Sequence, residues 1–270
     1  MRVAYLGPRG TFCEEAARKY APSSAILIPR PDIPEVFQSV SSGMAELGIV
    51  PLENSMEGSV GLTLDLLLES DLMICGEIVL RVEHNLIAKP GMRIEDIRAL
   101  ISHPQALAQC RRFISSRLPN VERIEASSTS RAVELIKGME GAAAIGTELA
   151  ANLNGMEVLE RGIEDDKNNF TRFLAISRAD SPPTGSDKTS IIFSVENKPG
   201  ALYRALGEFA KRDINMTKIE SRPAKGRLWE YIFYVDFEGH REDPRCKEAL
   251  ACLGRKACFL KILGSYPMAR

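Results

Sequence analysis

Two adjacent residues, Thr171 and Arg172, carry the most specific chemistry in the sequence. They lie between two phenylalanines in a β-like run, where a threonine hydroxyl has no helix to cap. The planar guanidinium of Arg172 suits a carboxylate, which it can hold with two parallel hydrogen bonds. The pair therefore predicts a site for a carboxylate. The alternative is a buried arginine that pairs with a structural acid such as Asp165 or Asp166.

Three further hydroxyl groups, those of Thr11, Ser55 and Ser102, lie where a strand-like run gives way to a helix-like segment. Residues 127–129, Ser-Ser-Thr, form a similar junction. The first turn of a helix has unpaired backbone N–H groups and the positive end of the helix dipole, so such junctions favour anions. The alternative is that the hydroxyls only cap their own helices, and for Ser128 and Thr129 capping is the favoured interpretation.

The net charge is close to zero and creates no positive electrostatic field that would attract a polyanionic partner. The 270 residues have a formal net charge of -1 and a pI near 6.4, with 44% hydrophobic and 26% charged residues. This composition indicates an ordinary globular protein of one to three domains, and it argues against nucleic acid or an anionic membrane as partner. The N-terminal apolar run is too short for a signal peptide, and no apolar stretch reaches the length of about 20 residues that spans a membrane, so we expect a cytoplasmic protein.

The cysteines and histidines do not predict a metal site. The six cysteines include no Cys-x-x-Cys pair and no zinc-like spacing, so we expect reduced thiols that are mostly buried. His84 and His103 lack a second histidine or a paired aspartate at useful spacing. We interpret His103, which precedes Pro104, as a residue at the start of a helix.

The first 177 residues alternate short apolar runs with amphipathic segments of helical length, which predicts an α/β layer structure with mostly parallel strands. The predicted strands are residues 2–6, 25–28, 47–50, 99–102, 121–125 and 142–145. The predicted helices are residues 11–20, 33–42, 60–69, 104–117, 128–137 and 147–153.

Two further segments indicate two lobes in this part of the chain. Residues 72–88 predict an extended crossover, and residues 168–177 predict a late strand that returns the chain. We therefore expect lobe 1 at about residues 1–75 and 165–177, lobe 2 at about residues 76–164, and a ligand cleft between them.

A second domain follows a linker that is rich in proline, glycine and polar residues, at residues 178–187. Residues 188–270 then predict strands at 189–195, 214–220, 229–237 and 257–263, with helices at 201–212 and 244–253. The order βαββαβ is ferredoxin-like.

Four short signatures in residues 1–177 resemble the prephenate dehydratase family and occur in the order of that family. They are Gly-Pro-Arg-Gly-Thr-Phe at 7–12, Pro-Leu-Glu-Asn-Ser at 51–55, Ser-His-Pro-Gln-Ala-Leu-Ala-Gln-Cys at 102–110 and Asn-Phe-Thr-Arg-Phe at 169–173. The resemblance implies a two-lobed catalytic domain of the periplasmic-binding-protein-like type II fold. Cys13 departs from the pattern, where a serine is usual, and a thiol donates only weakly.

The resemblance implies that the substrate is prephenate, which carries a ring carboxylate, a pyruvyl side chain and a ring hydroxyl. The reaction expels carbon dioxide and hydroxide and gives phenylpyruvate, in L-phenylalanine biosynthesis. Aromatisation drives it, so the protein mainly has to orient a dianion and help hydroxide to depart. The chain is thus expected to be a carbon–oxygen lyase (a hydro-lyase) that needs neither a metal nor an organic cofactor.

The resemblance makes Thr171 the essential residue of the Thr-Arg-Phe triplet, and the predicted catalytic residues are Thr171, Arg172 and Glu53. Thr171 is expected to donate a hydrogen bond to the leaving hydroxyl, or to relay a proton from a neighbour such as Glu53. Arg172 is expected to hold the pyruvyl carboxylate, because tight pairing with the ring carboxylate would stabilise the charge that must leave as carbon dioxide. The predicted substrate-binding residues are Thr11, Asn54, Ser55, Ser102, Asn169 and Phe173.

Residues 188–267 resemble an ACT regulatory domain, through Lys-Pro-Gly-Ala-Leu-Tyr at 198–203 and Glu-Ser-Arg-Pro at 220–223. The resemblance implies inhibition by L-phenylalanine, bound across an interface between two ACT domains, and hence a homodimer or homotetramer. The predicted effector residues are Gly200, Ala201, Leu202, Glu220, Ser221, Arg222 and Pro223. Gly200 lets a ligand approach the backbone closely at a helix N-terminus.

Two alternatives remain open from the sequence. The α/β part could be a ligand-sensing domain, or the substrate could be arogenate, whose amino group would call for an acidic partner. A dinucleotide enzyme is disfavoured because residues 7–10 lack the remaining glycine spacing and the later ribose-binding acid. The first strand begins at Arg2, so we expect no chorismate mutase region before it and any mutase activity in another chain.

Overall fold

The computed structural model describes residues 1–224 and 230–269. The chain divides into two compact units. The first consists of Met1–Val36, Ile49–Val60 and Val79–Phe173, and the second of Phe37–Gly48, Gly61–Ile78 and Leu174–Arg270. Among the described residues, no helix is both long and apolar enough to cross a bilayer. The domain boundaries at residues 177 and 188 stay a prediction.

Strands and helices alternate along the first 177 residues, as predicted. The strands are β1 (Arg2–Leu6), β2 (Ile26–Arg30), β3 (Leu47–Asn54), β4 (Gly58–Ser59), β5 (Met73–Arg81), β6 (Asn85–Ala88), β7 (Ala99–Ser102), β8 (Glu122–Glu125), β9 (Ala142–Gly146), β10 (Glu157–Glu160) and β11 (Phe170–Ser177). The α-helices are α1 (Phe12–Tyr20), α2 (Ile33–Ser41), α3 (Gly61–Glu69), α4 (Pro104–Gln109), α5 (Arg111–Arg117), α6 (Thr129–Leu135) and α7 (Glu148–Asn154). Ile94–Asp96 and Ile136–Gly138 form 3-10 helices.

These strands form two sheets. One has the order β2-β1-β3-β11-β5, with β4 paired to β3, and the other has the order β10-β6-β9-β7-β8. Within the second sheet, β7 is parallel to β8 and β9, whereas β6 is antiparallel to β9 and β10. The predicted return of the chain at residues 168–177 corresponds to β11, which lies beside β3.

The central strand of the five-stranded sheet is buried on both faces: β9 reads Ala-Ala-Ala-Ile-Gly, and every residue of it is buried. Helices pack on both faces, with Ile114 and Cys110 in one cluster and Val133 and Ala150 in the other. The alanines of β9 have no bulk of their own, so the helices approach closely and supply the packing volume.

Three local departures from the predicted elements have physical causes. The helix predicted over residues 104–117 is broken at Cys110, whose backbone leaves helical geometry at φ -113° and ψ 21°. β10 and β4 were not predicted, because the alternation of β10 is interrupted by acidic residues and β4 is only two residues long.

All six cysteines are free, and four of them are buried, as expected.

The C-terminal part has the predicted ferredoxin-like order. Its elements are β12 (Asp187–Ser194), α8 (Ala201–Ala210), β13 (Met216–Pro223), β14 (Tyr231–Glu238), α9 (Pro244–Gly254) and β15 (Phe259–Pro267). They form an antiparallel sheet of order β13-β14-β12-β15, and α8 and α9 cover one face around Phe193, Phe209 and Phe237. Trp229, with which the third predicted strand begins, lies outside the described residues.

The other face of this sheet holds α3 by polar contacts to its backbone. Lys261 Nζ donates to the carbonyls of Leu67, Leu68 and Ser70 at 3.0, 2.8 and 2.5 Å. Tyr234 Oη donates to the carbonyl of Leu64 at 3.1 Å. A lysine is a favourable partner for the last carbonyls of a helix, so the sheet provides the C-terminal cap that α3 lacks in its own sequence.

A buried carboxylate in α8 makes the stability of this domain depend on pH. Glu208 contacts Lys256, Arg212 and Lys211, and their hydrogen bonds lower its pKa to about 2 from the ordinary 4.5. A carboxyl group whose pKa is depressed in the folded state stabilises the fold above its unfolded pKa and loses that effect as the pH falls through the folded pKa.

We therefore expect Glu208→Gln to lower the free energy of unfolding at pH 7, with a deficit that shrinks between pH 4.5 and about 2. Urea unfolding of both proteins across this range measures the deficit. Glu248→Gln is the matched control, because Glu248 also pairs with Arg212 but is exposed. A deficit that stays constant with pH would show that Glu208 acts by packing alone.

Candidate active site

A cavity of about 630 Å³ in the first unit is lined by five of the nine predicted catalytic and substrate-binding residues. Its polar wall includes Thr11, Asn54, Asn169 and Thr171. Its apolar wall is formed by Leu6, Pro8, Phe12, Pro31, Pro51, Val60, Val82, Ala106 and Phe173. The lining residues, all within the described part of the chain, include no lysine or arginine. Two other cavities, of about 510 and 520 Å³, contain neither Thr171 nor Asn54.

Asn54, the last residue of β3, fixes the hydroxyl of Thr171. Its Oδ1 accepts from the backbone N–H groups of Met56 and Glu57 at 3.0 and 3.1 Å, so this atom must be the oxygen. Nδ2 therefore faces Thr171 Oγ1 at 2.9 Å, and it also lies 2.7 Å from Asn169 Oδ1. Because Thr171 Oγ1 accepts this bond, its own hydrogen is available to a ligand in the cavity.

Ser55 positions the start of β11 and does not line the cavity. Its Oγ donates to the carbonyl of Asn168 at 3.1 Å and accepts from the N–H of Phe170 at 2.9 Å. Its backbone N–H donates to the carbonyl of Phe170 at 2.8 Å. Ser55 therefore holds Phe170, the residue before Thr171, in place, and its direct contact with substrate stays a prediction.

Three helices begin on the cavity wall, as the strand–helix junctions predicted. The first turns of α1, α4 and α6 are capped by Thr11 Oγ1, His103 Nδ1 and Ser128 Oγ. The capping interpretation is therefore correct for Ser128 and His103, while Thr129 is the first residue of α6. Thr11 also donates to the carbonyl of Leu6 at 3.2 Å, so its hydroxyl hydrogen is already used. Positive potential at these turns comes from the backbone.

Arg172 and Glu53 lie outside the cavity wall and pair with each other, Nη1 to Oε1, at 3.7 Å. Successive side chains of a strand point to opposite faces, and Thr171 and Phe173 both line the cavity, so Arg172 points away from it. The alternative partners are engaged elsewhere, since Asp165 accepts from the N–H of Arg112 and Asp166 from that of Asn168. The predicted contact of Arg172 with a substrate carboxylate has no support in this geometry.

Two other predicted or noted residues have structural surroundings. Ser102 is fully buried and donates from Oγ to the carbonyl of Ile145 at 2.8 Å, which ties β7 to β9 and keeps it off the cavity wall. Cys13 lines the cavity, and burial raises the pKa of its thiol to about 12. Cys13 therefore stays a neutral thiol and a weak donor.

The predicted effector residues divide between the two faces of the C-terminal sheet, β13-β14-β12-β15. In β13, Glu220 and Arg222 are paired with Tyr234 and Ile232, on the face that holds α3. Arg222 donates to the carbonyl of Gly61 at 2.7 Å and lies 3.3 Å from Asp65. The remaining predicted residues are on the helix side: Ser221 and Pro223 in β13, and Gly200, Ala201 and Leu202 at the start of α8.

Comparison with known proteins decides the family. A model described as prephenate dehydratase matches residues 3–181, and a model of the ACT domain matches residues 189–251. The chain belongs to the prephenate dehydratase family. The predicted resemblance, fold class and enzyme class are therefore confirmed. Members of this family are hydro-lyases, and the cavity around Thr171 is lined by some of the residues of the family signatures at 7–12, 51–55 and 169–173.

Relatives share this organisation over the full length of the chain. The bifunctional chorismate mutase/prephenate dehydratase of Aquifex aeolicus (strain VF5) is 48% identical over 269 residues, which are 100% of this chain and 74% of that protein. The prephenate dehydratase of Methanocaldococcus jannaschii is 43% identical over 275 residues, 98% of each chain. The crystal structure of prephenate dehydratase from Arthrobacter aurescens in complex with L-Phe has a TM-score of 0.90 and 36% identity, and covers 99% of this chain and 90% of that one.

Two residues of this prephenate dehydratase site were not among the predicted site residues. Gln109, the last glutamine of the third signature, lines the cavity, as does His84 from the turn before β6. His84 Nε2 lies 2.9 Å from Gln109 Oε1, and Asn169 Nδ2 donates to the same oxygen at 3.2 Å. The position of Gln109 within the signature was the only sequence signal for it, and His84 had none.

Proposed function

We propose that this protein converts prephenate to phenylpyruvate, carbon dioxide and water in the cavity lined by Thr171 and Asn54. The observation that carries the proposal is the Thr171 hydroxyl, which accepts from Asn54 Nδ2 at 2.9 Å and so keeps its hydrogen for the ligand. Cleavage of the bond to the ring carboxylate supplies two electrons to the ring, and the bond to the hydroxyl oxygen breaks. Uptake of one proton makes the departing hydroxide water.

The absence of lysine and arginine among the described lining residues suits this reaction. A cation on the ring carboxylate would stabilise the charge that has to leave as carbon dioxide, and would slow the reaction. Backbone N–H groups at the start of α1 offer a weaker attraction, and the apolar wall around Phe12 and Phe173 excludes water. The dianion is therefore held without strong stabilisation of its ground state.

Thr171 assists the departure of the hydroxyl by donating a hydrogen bond. A threonine is too weak an acid to lose its proton at neutral pH, but its bond strengthens as negative charge builds on the leaving oxygen. Asn54 holds the Thr171 oxygen in place before the reaction begins. Arg172 and Glu53 are assigned a supporting role, because their ion pair holds the opposite face of β11.

The direct test is phenylpyruvate formation, followed by its absorbance in alkali, after the purified protein is incubated with prephenate. We expect turnover with prephenate and none in protein inactivated by heat. The control substrate is arogenate, for which the product measured is phenylalanine. Turnover of arogenate but not of prephenate would show that arogenate is the substrate. Turnover of neither compound would favour a ligand-sensing domain.

We also propose that L-phenylalanine inhibits the enzyme through the ACT domain, in a cytoplasmic homodimer or homotetramer. The related enzyme of Arthrobacter aurescens was crystallised in complex with L-Phe. In this chain three of the predicted effector residues, Gly200, Ala201 and Leu202, form the start of α8, where Gly200 has φ 77° and Tyr203 is 81% exposed. An exposed aromatic beside a helix N-terminus can pack against the apolar part of an amino acid while the backbone binds its carboxylate.

Gly200→Ala is expected to raise the half-inhibitory concentration of phenylalanine about tenfold or more, with kcat unchanged. An added Cβ would strain the left-handed backbone at φ 77°, which we expect to shift the first turn of α8. It would also lie 2.8 Å from Arg204 Nη1, but that flexible side chain can move aside. Steady-state assays with increasing phenylalanine measure the effect. The matched control is Gly207→Ala in the same helix, where a Cβ meets nothing within 4 Å. Equal inhibition of both variants would place the effector elsewhere.

A further inference from the structure

His84 is a buried histidine on the cavity wall for which the reaction as described has no use. It is 3% exposed, and its ring meets that of Phe12 edge-on at 6.0 Å between centroids. Its backbone N–H donates to Glu164 Oε2 at 2.9 Å, and its carbonyl accepts from the N–H of Ile163 at 2.8 Å. The ring is therefore fixed in position from both the main chain and the side chain.

The direction of the hydrogen bond at His84 follows from the orientation of Asn54, three hydrogen bonds away along one network. Asn54 Oδ1 is identified by two backbone N–H groups, so Asn54 Nδ2 faces Asn169 Oδ1. Asn169 Nδ2 must then face an oxygen, which identifies Gln109 Oε1 at 3.2 Å. His84 Nε2 lies 2.9 Å from that same oxygen, so Nε2 must carry a hydrogen.

The remaining atoms of the network are left without protein partners. Burial lowers the pKa of His84, so the ring is neutral and its single proton is the one on Nε2. Gln109 Nε2 and His84 Nδ1 are both buried, and neither has a hydrogen-bond partner among the described residues. An unpaired amide nitrogen at the wall of a cavity needs an oxygen acceptor, which a carboxylate ligand supplies.

We propose that His84 is a positioning residue: its Nε2–H holds Gln109 Oε1, so that the Gln109 amide nitrogen donates to a carboxylate oxygen of the substrate. This inference rests on the proposed function. The two ends of the hydrogen-bond network from Asn54 to His84 then have different roles. The Asn54 end fixes the oxygen of Thr171, which acts on the departing hydroxyl, whereas the His84 end fixes a donor that binds the substrate before and during the reaction. Loss of the hydrogen bond from Asn54 to Thr171 is therefore expected to lower kcat, and loss of the hydrogen bond from His84 to Gln109 is expected to raise KM.

Three variants of His84 separate positioning from packing. His84→Gln can place its amide nitrogen where Nε2 was, His84→Asn places it nearer to Nδ1, and His84→Phe keeps a ring against Phe12 without a donor. We expect KM for prephenate to rise about tenfold in His84→Phe and His84→Asn, with kcat within about threefold of the original, and most of the change to be reversed in His84→Gln. Equal KM values in all three variants, or a loss confined to kcat, would overturn the proposal.

A spectroscopic measurement tests the proton position without any turnover. The sequence has three histidines, so long-range ¹H–¹⁵N spectra of protein labelled at the imidazole nitrogens can be assigned by comparison with His84→Gln. We expect a neutral His84 with hydrogen on Nε2 and none on Nδ1. Hydrogen on Nδ1 alone would refute the proposal even in an active enzyme. Failure of the proposed function would appear separately, as absence of prephenate turnover in the unaltered protein.

Discussion

Replacing Thr171 with valine is expected to lower kcat for prephenate by about 10²–10³-fold, with little change in KM. Valine has the shape of threonine and the same preference for a strand, so β11 should keep its pairing. What is lost is the hydrogen that Thr171 donates to the departing hydroxyl. Removal of one such donor from a site of developing negative charge usually costs about 10²–10³ in rate.

Thr171→Ser is the matched control, because it keeps the hydroxyl and removes only a methyl group. Asn54 Nδ2 can hold the serine oxygen as it holds the threonine oxygen at 2.9 Å, so we expect activity within about tenfold of the original. Phenylpyruvate formation at saturating prephenate measures both variants. A serine enzyme as inactive as the valine enzyme would contradict donation by the hydroxyl, and an active valine enzyme would remove Thr171 from the mechanism.

Asn54→Asp is the second substitution with a large expected effect, because it changes one group from donor to acceptor at constant size. One carboxylate oxygen can still accept from the N–H groups of Met56 and Glu57. The other would face the oxygens of Asn169, Phe170 and Thr171, where Asn54 Nδ2 now donates. The Thr171 hydroxyl would turn to donate to that oxygen, so we expect kcat to fall about 10²-fold or more.

The pH dependence of this variant has a definite sign. A carboxylate that faces acceptor oxygens is disfavoured in its charged form, so its pKa is raised. Protonation restores a donor toward Thr171, and kcat relative to the unaltered enzyme should rise as the pH is lowered through that pKa. Parallel pH profiles of kcat for the two enzymes test this. A constant ratio at all pH values would show that Asn54 does not act by donation.

The strands and helices could be predicted from the local periodicity of apolar residues, and the cavity residues could be predicted from the positions of the motifs. Thr11, Asn54, Asn169, Thr171 and Phe173 all line one cavity, although Asn54 and Asn169 are 115 residues apart. They could be predicted together because their signatures lie close to strand ends: Thr11 follows β1, Asn54 ends β3 and Asn169 precedes β11. These three strands are neighbours in one sheet. The break at Cys110 could not be predicted, because nothing in the residues around it opposes a continuous helix.

The placement of Arg172 could have been judged better from the sequence alone. Adjacent residues in a strand face opposite ways, so Thr171 and Arg172 could not both point into one cavity once the strand was predicted. His84 and Gln109 were different, because their contact joins residues 25 positions apart through a network that no local pattern reveals. The sequence predicts which face a residue takes, but not which distant polar group it meets there.

The orientation of Asn54 has a consequence for which sequences can maintain this site. The two groups that determine it are main-chain N–H groups of Met56 and Glu57, and the side chains of both residues are exposed. Nineteen of the twenty residue types supply such an N–H, and only proline does not. As far as these two hydrogen bonds are concerned, positions 56 and 57 can therefore hold any residue type except proline, and this requirement would be visible only as the absence of proline there.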